Sequence, residues 1–132
     1  MPTESHLPVH VYYEDTDFSG VVYHANYLKF FERAREHAIG PDRLVWLWDE
    51  HGLGFVVYQL EMKFDAGARF GELLDIRSSW EMNGKYRMVW QQAAWRPGGE
   101  KAAVSATIQL VCIDQARRLQ PIPLPLLDAP LP

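Results

Sequence analysis

The chain has 132 residues with 13 Lys plus Arg against 17 Asp plus Glu, a formal net charge of −4 with neutral histidines. That length suits one domain spanning 1–132 and excludes a TIM barrel, and no Walker lysine motif or Gly-x-Gly-x-x-Gly fingerprint is present. Apolar residues at 48% supply a packed core and argue against disorder, while the net acidity argues against a generic nucleic-acid binder.

Val9 to Tyr13 is a short β-favouring run that predicts a first strand, ending in the turn-rich cluster Glu14, Asp15, Thr16, Asp17, Phe18, Ser19 and Gly20. From about Ala25 the pattern changes. Tyr27, Phe30, Phe31, Ala34 and Ala38 recur at helical spacing, with Lys29, Arg33 and Glu36 largely on the other side, and Gly40-Pro41 stops this helix. Asp42 is placed to cap a second, shorter helix through Leu44, Val45, Leu47 and Trp48, which Gly52 and Gly54 end.

Everything after Gly54 reads as sheet. Phe55 to Phe64 is β-rich, and Leu73 to Trp80 leads into Asn83-Gly84, a two-residue hairpin signal, before Tyr86, Met88 and Trp90 alternate with Arg87, Val89 and Gln91. The third and fourth strands should pair directly. After a turn at Pro97-Gly98-Gly99, Val104, Ala106, Ile108, Leu110 and Cys112 alternate with Ser105, Thr107 and Gln109 in a long last strand. The proline-rich tail, 121–132, is expected to be extended or loose. The order is α+β, with five antiparallel strands wrapped around one long helix. Trp80, Trp90 and Trp95 exceed what a small core consumes, so an oligomer is expected.

Cys112 is the only cysteine, so no intrachain disulfide forms and a reducing cytoplasm fits. The first residues lack a signal-peptide profile, and no run approaches the ~20 apolar residues of a membrane span. A cytoplasmic protein with no membrane span is the expectation.

Tyr13 to Leu28 reads YEDTDFSGVVYHANYL and places two carboxylates, a Ser-Gly and a histidine in the loop that feeds the helix N-terminus. A helix start offers unpaired N–H groups and a positive dipole end, which suit a carbonyl oxygen that becomes negative during acyl transfer. His24 lies at or just before that end. Asp17, seven residues earlier, can sit opposite those donors and attack the carbonyl or take a proton from water. The plainer reading is that Asp15 and Asp17 close Asx turns and that His24 caps or packs at a helix start.

The strings Asp15-Thr16-Asp17, Gly20-Val21-Val22-Tyr23-His24-Ala25-Asn26-Tyr27-Leu28 and Glu32-Arg33-Ala34-Arg35 closely resemble the hotdog-fold acyl-CoA thioesterases of the 4-hydroxybenzoyl-CoA thioesterase class. The nearest branch looks like the acyl-CoA thioesterases associated with the Tol-Pal system. Weaker agreement continues through Ala68-Arg69-Phe70-Gly71-Glu72-Leu73-Leu74, so the resemblance covers roughly Pro8 to Ile113. It implies a hotdog fold, with active sites at the subunit interface of a homodimer or of a dimer of dimers, a homotetramer. It also implies that Asp17 is the catalytic carboxylate, that His24 polarises the carbonyl or orients substrate, and that Tyr13 lines the site. Asp15 is expected to be structural. Glu32 is a rival base, because another branch of hotdog enzymes uses a helix carboxylate, although an ion pair with Arg33 or Arg35 is its plainer account.

Coenzyme A carries several phosphate charges, so an acidic protein must recruit it with local cations. Lys85 and Arg87, beside the Asn83-Gly84 turn, are the main candidates, and Arg69 and Arg96 are weaker ones. Tyr13, Tyr23, Tyr27 and Phe30 are candidates to line an acyl pocket of either aryl or aliphatic shape. The five histidines show no zinc spacing, so neither a metal nor a cofactor is expected, and Cys112 reads as a small buried hydrophobe. The expected activity is hydrolysis of an acyl-CoA thioester to free acid and coenzyme A. The alternatives are a hotdog hydratase or dehydratase on the same thioesters and a non-catalytic acyl-CoA-binding protein.

Overall fold

Strand alternation decides which face of the sheet meets the helix. The computed structural model describes residues 1–132, with β3 at Leu73–Asn83, β4 at Arg87–Trp95 and β5 at Val104–Ile113. Their buried residues, among them Leu74, Ile76, Met88, Trp90, Ala94, Val104, Ile108, Leu110 and Cys112, alternate with more exposed ones and form one face of the core. Helix α1, Asn26–Ile39, lays Tyr27, Phe30, Phe31, Ala34 and Ile39 against that face. Burying a side chain of the size of Phe30 or Phe31 contributes roughly 2–3 kcal/mol each, which holds the helix in the curl of the sheet.

The sheet order is β1-β3-β4-β5-β2, all antiparallel, with β1 at Glu4–His10 and β2 at Gly54–Phe64 as its two edges. This is the expected α+β arrangement, with five long strands around one long helix. The first strand lies earlier than the sequence suggests. Pro8 is tolerated because β1 is an edge strand, and Tyr13–Asp15 turns into a short 3-10 helix instead of continuing the strand. β3 and β4 do pair directly, but Asn83 faces Arg87, so the hairpin loop holds three residues, Gly84 to Tyr86. Gly84 takes a positive φ of 68° that favours glycine there.

Helix α2, Pro41–His51, begins with Pro41 in its first turn and Gly40 before it, so Asp42 lies inside the first turn and caps nothing. The tail is not loose. Leu119–Gln120 forms a short strand, β6, on β5, and Leu124–Asp128 forms a short helix, α3, which buries Leu127 beside Ile122. The tryptophans are mostly absorbed within the chain. Trp90 is fully buried, Trp80 donates its indole N–H to the Pro2 carbonyl at 2.9 Å, and the Arg77 guanidinium covers Trp95 at 3.9 Å. Among the exposed apolar residues, five lie together on the free edge strand β2, at Val56, Val57, Tyr58, Leu60 and Phe64. No helix is long and apolar enough to cross a membrane.

Between helix and sheet sits one buried polar cluster. Arg35 donates to Gln92 Oε1 at 3.0 Å, and Gln92 Nε2 donates to the Phe31 carbonyl and to Ser78 Oγ, both at 2.9 Å. Burial pushes the Arg35 guanidinium down from its usual range, partly offset by Glu32 and Glu36. Glu32 makes no ion pair with Arg33 or Arg35, contrary to the sequence-based reading, because Arg35 turns inward to Gln92.

Candidate active site

The loop from Tyr13 to Ala25 is held from beneath. Asp15 is buried, and its carboxylate accepts from the Tyr12 amide at 2.8 Å and from Asn26 Nδ2 at 3.1 Å, tying the loop to the first residue of α1. The Val22 amide donates to the Ala68 carbonyl at 2.9 Å, and the Ala68 amide donates to the Tyr27 hydroxyl at 3.3 Å. Gly67 lets the two segments meet, since a Cβ there would stand 2.8 Å from Val21 Cγ1.

On this support Asp17 is exposed. Its Oδ1 accepts from the Ser19 hydroxyl at 2.6 Å and from the Ser19 amide at 2.8 Å, an Asx turn, whereas Oδ2 has no partner in the protein. Ser19's hydroxyl, then its amide, hold the Asp17 carboxyl below the ordinary carboxylate range, with a smaller contribution from His24. The carboxylate is therefore anionic at neutral pH. The plainer Asx reading is correct for one oxygen and leaves the other available.

The His24 ring is set between the rings of Tyr23, with centroids 4.5 Å apart, and Phe64, at 6.3 Å and edge-on. Just beyond it, α1 begins with no side-chain cap, and the amides of His24, Ala25 and Tyr27 find no acceptor in the protein. Asp17, His24 and Tyr27 line one cleft of about 380 Å³ together with Val21, Val22, Phe64, Asp65, Ala66 and Gly67. Asp65, a second carboxylate in this cleft, was not singled out in the sequence. It sits at a strand end 48 residues after Asp17, where a lone Asp reads as a solvated turn.

The other candidates lie elsewhere. Tyr13 is 80% exposed, packs edge-on against Phe70 and does not line the Asp17 cleft. Tyr23 reaches the site only through its contact with His24, and Phe30 is buried in the core. Arg69 shares a cleft of about 340 Å³ with Gly20, Phe70, Glu72 and Arg96. There Arg96 is held by Glu72 through contacts of 2.9–3.2 Å, so Arg69 is the unpaired cation. Lys85 and Arg87 line a third cleft, of about 450 Å³, where the Arg87 guanidinium stacks over Tyr58 at 4.3 Å. That cleft is at the opposite end of the sheet. Phe64 lies in the row of Val104 and Ala94, and Ala94 is seven residues along β4 from Arg87, about 23 Å at strand rise.

Residues 11–129 match the model of the thioesterase-like superfamily. The chain belongs to this superfamily. It is 34% identical over 121 residues to the acyl-CoA thioesterase YbgC of Haemophilus influenzae, covering 90% of this chain and 87% of the relative. The crystal structure of a probable thioesterase from Bartonella henselae superposes with a TM-score of 0.82 at 32% identity, covering 91% of this chain and 99% of that one. The 4-hydroxybenzoyl-CoA thioesterase of a Pseudomonas strain superposes at 0.84 with 18% identity, over 96% and 99% of the two chains, a likeness of fold. The sheet curled around α1 is thus the hotdog fold of the superfamily.

Proposed function

We propose that this acyl-CoA thioesterase hydrolyses its substrates with Asp17 as the attacking or water-activating carboxylate. The observation that carries the reading is the meeting, in one cleft, of an anionic carboxylate with one unbonded oxygen and a helix start whose amides lack acceptors. The thioester carbonyl accepts from those amides, which stabilise the oxyanion as it forms. Asp17 Oδ2 then attacks the carbonyl carbon, expelling the coenzyme A thiolate and leaving a mixed anhydride that water hydrolyses, or it takes a proton from a water that attacks directly. His24, fixed by its two aromatic neighbours, orients the thioester. Tyr27 forms the floor of the acyl pocket.

A second copy completes the site. β2 is an edge strand of eleven residues with five exposed apolar side chains, a surface that pairing with another chain would cover. Two-fold antiparallel pairing about the middle of β2 sets the Phe64 end of one copy beside the Gly54 end of the other. It also brings the second copy's Tyr58–Arg87 cleft to the same end of the joint sheet as Asp17. We assign the phosphates of coenzyme A to Lys85 and Arg87 across this homodimer, with Arg69 as a nearer cation; a dimer of dimers is the next level of assembly. On the Asp15-to-Leu28 string we also place the chain in the branch associated with the Tol-Pal system. Cys112, single and buried with its thiol pushed up to about 11 mainly by burial, fits a reducing cytoplasm.

Thiol release from a panel of short, medium, long and aromatic acyl-CoA esters, by the natural protein and by Asp17→Asn, tests the reading. Turnover that collapses in the variant supports Asp17. Equal turnover by both overturns its role and points to Glu32, and binding without thiol release by either protein favours a non-catalytic acyl-CoA-binding protein. Formation of an enoyl or hydroxyacyl ester without thiol release would instead favour a hydratase.

A further inference from the structure

The Asp17 cleft is lined by a second carboxylate, Asp65. The amides of Asp65 and Ala66 both donate to the Ala103 carbonyl, at 2.8 and 3.0 Å, so backbone bonds fix this turn independently of the Asp65 side chain. The closeness of Gly67 to Val21 then sets the turn against the Asp17 loop. The cation beside Asp65 is Lys63, with Nζ 3.7 Å from Oδ1 and a side chain 76% exposed, a loose pair that solvent screens. No Lys or Arg lines the cleft, and His24 is its one basic side chain. The free cations Arg69, Lys85 and Arg87 line other clefts.

We infer that Asp65 is a specificity-determining residue that turns away acyl groups bearing their own carboxylate, so that neutral acyl-CoA esters are hydrolysed and mono-CoA esters of dicarboxylic acids are spared. The inference rests on the thioesterase reading and adds a substrate class to it. Cations outside the cleft are placed to draw the phosphates of coenzyme A, which leaves the Asp17 cleft to the acyl group. A short acyl chain ending in a carboxylate brings a third negative charge into a cleft that already holds Asp17 and Asp65 and that no Lys or Arg of the same chain lines. A neutral chain of the same length meets Val21, Val22, Tyr27 and Phe64 and suffers no such repulsion. A like charge at ~7 Å in partly screened surroundings corresponds to about a ten-fold discrimination.

The test compares kcat/KM for length-matched pairs, glutaryl-CoA against pentanoyl-CoA and succinyl-CoA against butyryl-CoA, in the natural protein, Asp65→Asn and Asp65→Ala. The natural protein is expected to favour the neutral ester of each pair. Both variants are expected to narrow that ratio by about ten-fold, and added salt to narrow it in the natural protein. A ratio that stays within two-fold of the natural protein's in both variants overturns the role of Asp65. Absence of thiol release from every ester overturns this inference together with the thioesterase reading, which separates the two failures.

Discussion

The floor and the crest of the loop that enters α1 use their polar atoms in opposite ways. On the floor, both oxygens of Asp15 are engaged, the Val22 amide is matched by Ala68, and the Tyr27 hydroxyl receives the Ala68 amide. On the crest, Asp17 keeps one oxygen unbonded, Phe18 is fully exposed, and the amides leading into the helix have no acceptor. Anchoring and the proposed chemistry are thus separated within a dozen residues. The satisfied floor fixes the geometry in which the unsatisfied crest can act.

The largest expected effect belongs to the crest. Asp17→Asn should lower kcat by on the order of a thousand-fold, about 4 kcal/mol of transition-state stabilisation, while the thermal midpoint stays at the natural value because the side chain is exposed. A fall in midpoint that matches the loss of activity would erase the separation. The floor should answer the other way: Asp15→Ala leaves the part-buried Tyr12 amide and Asn26 side-chain amide without their acceptor, and a loss of about 1–2 kcal/mol in urea unfolding is expected. Gly67→Ala tests the junction between the two. Its Cβ must displace Val21, at about 1–3 kcal/mol of stability, with a larger fall in kcat than in folded fraction.

Two smaller effects sharpen the picture. Replacing both Lys85 and Arg87 by Ala should raise KM for acyl-CoA by roughly ten-fold and weaken its salt dependence, with kcat kept; unchanged KM would remove these cations from coenzyme A recognition. Ser19→Ala removes the hydroxyl donor that does most to hold the Asp17 carboxyl low. In the proposed mechanism the anion is the active form, so activity is expected above the carboxyl's pKa and is lost as pH falls through it. Losing the donor raises that pKa, and the acid limb of the pH–rate profile should move upward in pH.

Much of the frame was legible in the sequence because its signals are local. Apolar spacing and Gly40-Pro41 bracket α1 to within a residue, and alternation marks β5 from Val104. The motif loop likewise brings Asp17 and His24 together through contiguous residues. What escaped depends on distant contacts. The tail reads as loose because five prolines deny it a ladder, yet Ile122 and Leu127 find the core. Asp65 enters the cleft only through the approach of Gly67 to Val21, a meeting of segments that no periodicity encodes. Arg35 stands at helical spacing from Glu32 and looks like its partner, but tertiary packing offers Gln92 instead.

That inward arginine acts as an axial pin. Arg35 lies nine residues from Asn26, about 13 Å along the helix axis, and the Arg35–Gln92–Ser78 bonds, with Gln92 also gripping the Phe31 carbonyl, stitch the shaft of α1 to two central strands. Sliding the helix by even one residue would tear several of these bonds at once in a place where water cannot replace them. Apolar packing by itself tolerates such slippage far better. The open amides at the near end of α1 therefore inherit their alignment from a lock at mid-shaft, and a lesion there would blur the aim of a site it never touches.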